Sequence, residues 1–166
     1  MSVVYVVMGV SGCGKTTIGK KLAAALDLPF YDADDFHPQA NIDKMTSGKP
    51  LQDSDRWPWL DVLAIKINTW SQAEGAVLAC SALKEVYRER LYSDNAFAKA
   101  KQNFVYLDAS FETISKRLAS RQNHFFNPSL LQSQFDTLEV PSYGIKVSVA
   151  QSTNQILTDI LKEIEA

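Results

Sequence analysis

Eight consecutive residues, Gly9, Val10, Ser11, Gly12, Cys13, Gly14, Lys15 and Thr16, match the pattern G-x-x-x-x-G-K-[ST] in full. Glycines at those places let backbone N–H groups wrap a phosphate, and a helix starting behind them adds roughly half a positive charge. Lys15 has the reach for β- and γ-phosphates. The Thr16 hydroxyl is an oxygen donor suited to Mg²⁺, and Thr17 opens the helix behind it. The stretch implies a site for a nucleoside triphosphate.

Two carboxylates follow, Asp32 and Asp34. If the strand they close continues past them, both point to one side. Beside a phosphate loop such a pair has two tasks, to order Mg²⁺ or its waters and to accept a proton from an attacking hydroxyl. Asp34 is expected to be the base and Asp32 to support the metal's water shell. At the end of the third strand, where motor-type ATPases place an aspartate, the chain has Cys80 and Ser81. That weighs against a motor or switch.

Cations form the third group. Arg117 and Arg121 lie one helical turn apart, ahead of a break in the helical pattern over 122–128, where they could serve a mobile flap that closes on the transferring phosphoryl group. Lys44, Arg56, Lys84 and Arg88 are expected along the open edge, a set that suits an anionic co-substrate because arginine pairs carboxylate through two parallel hydrogen bonds. His37 and His124 sit in loops without metal-ligand spacing, which favours hydrogen bonds to substrate over zinc. Cys13 and Cys80 are too few for a disulfide framework and suit a reducing compartment. Trp57, Trp59 and Trp70 are expected to pack the core or the substrate wall.

The elements that must carry these residues alternate. Short apolar runs rich in β-branched residues at 3–8, 28–31, 76–80, 104–107 and 145–149 read as strands. Helical spacing fits 17–26, 59–70 with Pro58 at its start, 84–91, 111–120, 130–138 and 154–164, the last capped from Ser152 or Thr153. Residues 39–58 are polar and punctuated by Pro and Gly, a functional loop holding a small helix near 41–45. This order implies an α/β fold, a parallel sheet covered on both faces, with ligands at the carboxyl ends of the strands.

A chain of 166 residues with 46% hydrophobic and 22% charged residues fits one globular domain, 1–166. Its net charge of −2 supplies no basic field for nucleic acid. The first apolar run is too short for a membrane span and lacks a basic leader, so no membrane role and a cytoplasmic address are expected.

Along nearly its whole length the sequence resembles the gluconokinases, small phosphate-loop sugar-acid kinases related to shikimate kinase and the nucleoside monophosphate kinases. The likeness rests on the phosphate loop, on Asp32 and Asp34 with His37 and Pro38, and on Asn41, Ile42, Asp43, Lys44 and Met45. More specific are Asp53, Ser54, Asp55, Arg56, Trp57, Pro58, Trp59 and Leu60, and Cys80, Ser81, Ala82, Leu83 and Lys84. Shikimate kinases carry a glycine triplet after the third strand, where this chain has Cys80, Ser81 and Ala82.

The resemblance implies a three-layer P-loop fold of the nucleoside-monophosphate-kinase type, with five parallel strands ordered 2-3-1-4-5. It places a substrate-binding insertion at about 38–58 and a lid at about 117–134. The implied reaction takes ATP and D-gluconate to 6-phosphogluconate and ADP, with Mg²⁺. Arg117 would then stack on adenine, Arg121 would contact phosphates and Asp34 would take the hydroxyl proton. Lys44, Arg56, Lys84 and Arg88, with His124 and Gln134, would meet the acceptor's carboxylate and hydroxyls. A homodimer is also implied. Competing readings are a kinase for idonate or shikimate and, from another class, a nucleotide-binding module without catalysis.

Overall fold

The apolar runs form five strands, β1 (Val4–Met8), β2 (Phe30–Asp32), β3 (Ala76–Ala79), β4 (Phe104–Asp108) and β5 (Ile145–Ser148). In the computed structural model, which describes residues 2–92, 96–120 and 128–166, every strand pairing is parallel and the order is β2-β3-β1-β4-β5. β1 is central because it is apolar on both faces: Val6 and Val7 have no exposed surface, and Val6 pairs with Leu78 on one side and Phe104 on the other. β5 closes an edge and alternates buried and exposed residues, as an edge strand with one wet face must.

Eight α-helices complete the described chain on both faces of the sheet: α1 (Lys15–Leu26), α2 (Gln39–Thr46), α3 (Asp53–Ser71), α4 (Glu85–Arg90), α5 (Ala96–Ala100), α6 (Phe111–Ala119), α7 (Pro128–Thr137) and α8 (Thr153–Glu165). Ser152 caps α8 by accepting from the Gln155 amide, as its sequence position foretold. Among the described residues no helix is long and apolar enough to cross a membrane.

Two local expectations are corrected. Pro58 does not start a helix; α3 begins five residues earlier, where Gln52 and Asp55 form a reciprocal capping box. Pro58 then sits in the second turn and removes a single intrahelical bond, the one its N–H would have made to the Ser54 carbonyl. The second strand does not run through Asp34 either. It stops at Asp32, whose side chain accepts from the Asp34 amide and caps a 3₁₀ turn over Ala33–Phe36. The two carboxylates are therefore set by a cap, not by strand alternation.

Candidate active site

The carboxyl ends of β1, β2 and β3 open into one cleft of about 590 Å³. Its walls include Ser11, Gly12, Gly14, Lys15, Thr16 and Thr17 from the phosphate loop and α1, and Asp32, Asp34, His37, Arg56 and Trp59 from the far side. Gln134 of α7 closes it above the loop.

The loop owes its shape to its glycines. Gly14 precedes α1 with φ of 101°, a conformation that L side chains rarely adopt, although a Cβ there would meet nothing within 4 Å. At Gly9 the constraint is space as well, since a Cβ would lie 2.7 Å from Cys13 Sγ and 3.1 Å from the Leu107 carbonyl oxygen. Lys15 Nζ donates to the carbonyls of Gly9 and Val10, both at 3.0 Å, so the ammonium lies across the loop's own mouth. The Ser11 amide donates to Gln134 Oε1 at 2.6 Å. The Thr16 hydroxyl donates to Asp32 Oδ2 at 3.1 Å.

Across the cleft, Asp34 is open to solvent through its side chain, 82% exposed, yet it stands against protein walls. Partial loss of hydration against the surrounding protein, reinforced by the neighbouring Asp32 charge, raises its pKa above the usual aspartate value, and Lys15 pulls in the other direction. His37 is the opposite case, with a side chain only 3% exposed. Its ring stacks on Trp59 at 4.0 Å, and the Trp59 indole N–H donates to the Ala33 carbonyl at 2.8 Å. Burial, aided by the Arg56 guanidinium, lowers the His37 pKa to about 4, so the ring is neutral.

The four cations predicted along the open edge separate. Arg56 lines the cleft, donating to the Leu51 carbonyl at 2.9 Å and to the Tyr87 hydroxyl at 2.8 Å, with Tyr87 donating in turn to Asp53. Lys84 stands 3.5 Å from the same Asp53, and Lys44 donates to Asp55 at 2.7 Å. Both lysines are thus tied to aspartates in the first turn of α3 rather than to the cleft wall. Arg88 is not on the edge at all. It is 1% exposed and donates to the carbonyls of Ala82 and Glu139, to Glu85 and to the Tyr143 hydroxyl. Spacing correctly put Lys84 and Arg88 one turn apart, but α4 turns Arg88 inward.

Arg117 donates to the Val149 carbonyl at 2.8 Å, near the start of α8. Arg121 and His124, and with them much of the expected lid, lie outside the described residues. Cys13 and Cys80 are both buried; burial raises the pKa of each thiol, that of Cys80 to about 12, which leaves them unreactive small residues.

The sequence reading assigned no role to Asn41, Asp53 or Tyr87. Asn41 lies in the first turn of α2 and His37 in extended backbone before that helix, so no helical spacing linked the two in the sequence. Nothing local marks Tyr87, which reaches Asp53 across 34 positions of sequence.

Comparison with known proteins agrees with this geometry. The family model described as shikimate kinase matches residues 11–165. A probable gluconokinase of Xenopus tropicalis is 41% identical, the alignment covering 98% of this chain and 93% of that protein. The thermosensitive gluconokinase of Escherichia coli K12 is 44% identical over 96% of this chain and 83% of its own. A solved structure of a gluconokinase from Sinorhizobium meliloti superposes with a TM-score of 0.87 at 39% identity, covering 98% of this chain and 91% of that one. A phosphate loop, an aspartate pair on a capped turn and a full-length match at this identity lead to one assignment: the chain belongs to the shikimate kinase family and, within it, to the gluconokinases.

Proposed function

We propose that this chain is a cytoplasmic gluconokinase that transfers the γ-phosphoryl group of ATP to the primary hydroxyl of D-gluconate, yielding 6-phosphogluconate and ADP. The observation that carries the reading is one cleft with Lys15 and Thr16 on its first wall and Asp32, Asp34, His37 and Arg56 on its second. A small anion bearing a terminal alcohol needs that pairing, a base beside the phosphoryl group at one end and a cation at the other.

Lys15 exchanges the Gly9 and Val10 carbonyls for phosphate oxygens, and the amides of residues 9–17 surround the same phosphates. Arg117 would stack on adenine, and a phosphate-contacting role is assigned to Arg121, which lies outside the described residues. Thr16 and Asp32 offer the oxygen donors that a hard divalent cation prefers. Thr16 would bind Mg²⁺ directly and Asp32 through water; the ion, when bound, neutralises phosphate charge. Asp34 accepts the proton of the attacking hydroxyl; its raised pKa gives it a basicity that an ordinary aspartate lacks. Arg56 takes the acceptor carboxylate, with Lys44 and Lys84 adding positive field, while Gln134 and His124 serve the hydroxyls and His37, buried against Trp59, acts on the substrate through Asp34. Arg88, with its donors committed inside the fold, is left out of this set.

The test is ADP release with ATP, Mg²⁺ and a panel of D-gluconate, L-idonate, shikimate, glucose, AMP and buffer alone. Turnover is expected with gluconate only. Lys15→Ala should abolish it, through loss of phosphate stabilisation of about 3 kcal/mol or more. Asp34→Asn should lower kcat by about 10²–10⁴ with ATP affinity nearly unchanged. Turnover with shikimate or AMP would replace the acceptor assignment, and ADP release independent of any acceptor would leave the phosphate loop alone standing.

A further inference from the structure

Asn41 is 3% exposed, as deeply placed as a polar side chain gets among the described residues apart from Arg88. Its Nδ2 donates to the Asp55 carbonyl at 2.9 Å and lies 3.2 Å from His37 Nδ1. A peptide carbonyl only accepts, so the nitrogen of the carboxamide, and not its oxygen, must face Asp55. The second hydrogen on that nitrogen is then offered to His37. Nδ1 is therefore the bare, accepting nitrogen, and the neutral ring carries its one proton on Nε2. Nε2 lies on the cleft side, 3.8 Å from Asp34 Oδ1.

The ring has no freedom to turn away. It is stacked on Trp59 at an interplanar angle of 16°, and Trp59 is itself bonded to the carbonyl of Ala33, the residue before Asp34. Ring and carboxylate thus hang from the same short 3₁₀ turn, and the open Asp34 side chain has room to close the remaining gap to hydrogen-bond length.

We propose that Asn41 is a positioning residue that fixes His37 as its Nε2–H tautomer, and that His37 so fixed donates to Asp34 Oδ1. This rests on Asp34 acting as the base. With Oδ1 occupied, Oδ2 receives the acceptor's hydroxyl proton as the new O–P bond forms and the bond from the γ-phosphorus to the leaving ADP oxygen breaks. His37 keeps its proton throughout. Burial of the ring keeps it neutral, as the tautomer argument requires.

The tautomer is read without turnover, by two-bond ¹H–¹⁵N correlation on the uniformly labelled full chain at neutral pH. The chain has two histidines, so the His37→Gln spectrum assigns the signals. An unprotonated Nδ1 with Nε2–H is expected; an Nδ1–H ring or an imidazolium overturns the proposal. Asn41→Asp presents an acceptor to Nδ1 instead of a donor. It should move the proton to Nδ1 and lower kcat for gluconate about 10- to 100-fold with KM for ATP unchanged; an unchanged kcat overturns the proposal.

Should Asn41→Asp fail to fold, position 37 decides. The His37→Gln amide nitrogen overlies Nε2 and should keep kcat within a few-fold, whereas His37→Asn, whose amide is too short, should lose about tenfold or more. Equal losses in both overturn the proposal. Full activity in Asp34→Asn would instead remove the base on which the inference rests, an outcome distinguishable because the tautomer would still read as Nε2–H.

Discussion

A buried imidazole is cheapest to keep while it is uncharged, and His37 shows what that means for the folded state. Its pKa falls from an ordinary 6.5 to about 4. Between those values the unfolded chain binds a proton that the folded chain refuses, so stability rises with pH across the window and is lost as pH falls through it. The full effect is on the order of 3 kcal/mol. Asp34, whose pKa is raised, works with the opposite sign and offsets part of it. The difference between wild type and His37→Gln isolates the histidine: melting temperature should fall more steeply from pH 6.5 to 4 in wild type, and parallel curves would contradict a neutral buried ring. At this scale the chemistry was legible where it is local. Eight residues in fixed order specify the phosphate loop, because backbone conformation there follows from residue type. The mutual setting of Asp32 and Asp34 was not, because an aspartate that caps a turn and one that ends a strand look alike in sequence.

Arg88 shows how an element reassigns a residue. Its helix, α4, is six residues long, and its guanidinium joins the Ala82 carbonyl at the end of the β3 loop to Glu139 and Tyr143 in the segment after α7. The Glu139 amide returns a bond to the Leu83 carbonyl at 2.7 Å. A charge spacing of four residues gave no means to separate this tie from a surface pair, since burial is decided by what arrives from 50 positions away. Arg88→Met leaves two carbonyls without their donor and should cost about 2–4 kcal/mol of stability, allowing for the partly solvated Glu85. Gluconate KM in the folded fraction should stay near wild type, whereas Arg56→Ala should raise it. A large KM change in Arg88→Met at unchanged melting temperature would return Arg88 to the acceptor site. The same reasoning explains α3: glutamine is an unusual cap, so the start at Asp53 was less visible than Pro58.

Across the whole molecule the fold was readable because strand and helix periods alternate cleanly, and a β-α-β chain with right-handed crossovers has few ways to lie. The site was readable only in part, because its second wall is assembled from turns and helices whose meeting depends on long-range packing, as when Trp59 reaches back under Ala33 and His37. Above the phosphate loop lies a further long-range contact, the Ser11 amide on Gln134 of α7. A phosphate oxygen and the Gln134 oxygen want the same hydrogen atom, so the two cannot both hold it. Nucleotide must therefore displace the Gln134 side chain from the loop amide, and only afterwards is the Gln134 carboxamide free to meet an acceptor. The kinetic consequence is sequence of arrival, nucleotide first. Calorimetry should find gluconate bound more tightly with a non-hydrolysable ATP analogue present than without it, with Gln134→Ala narrowing the difference; equal affinities in wild type would show that the two ligands enter at random.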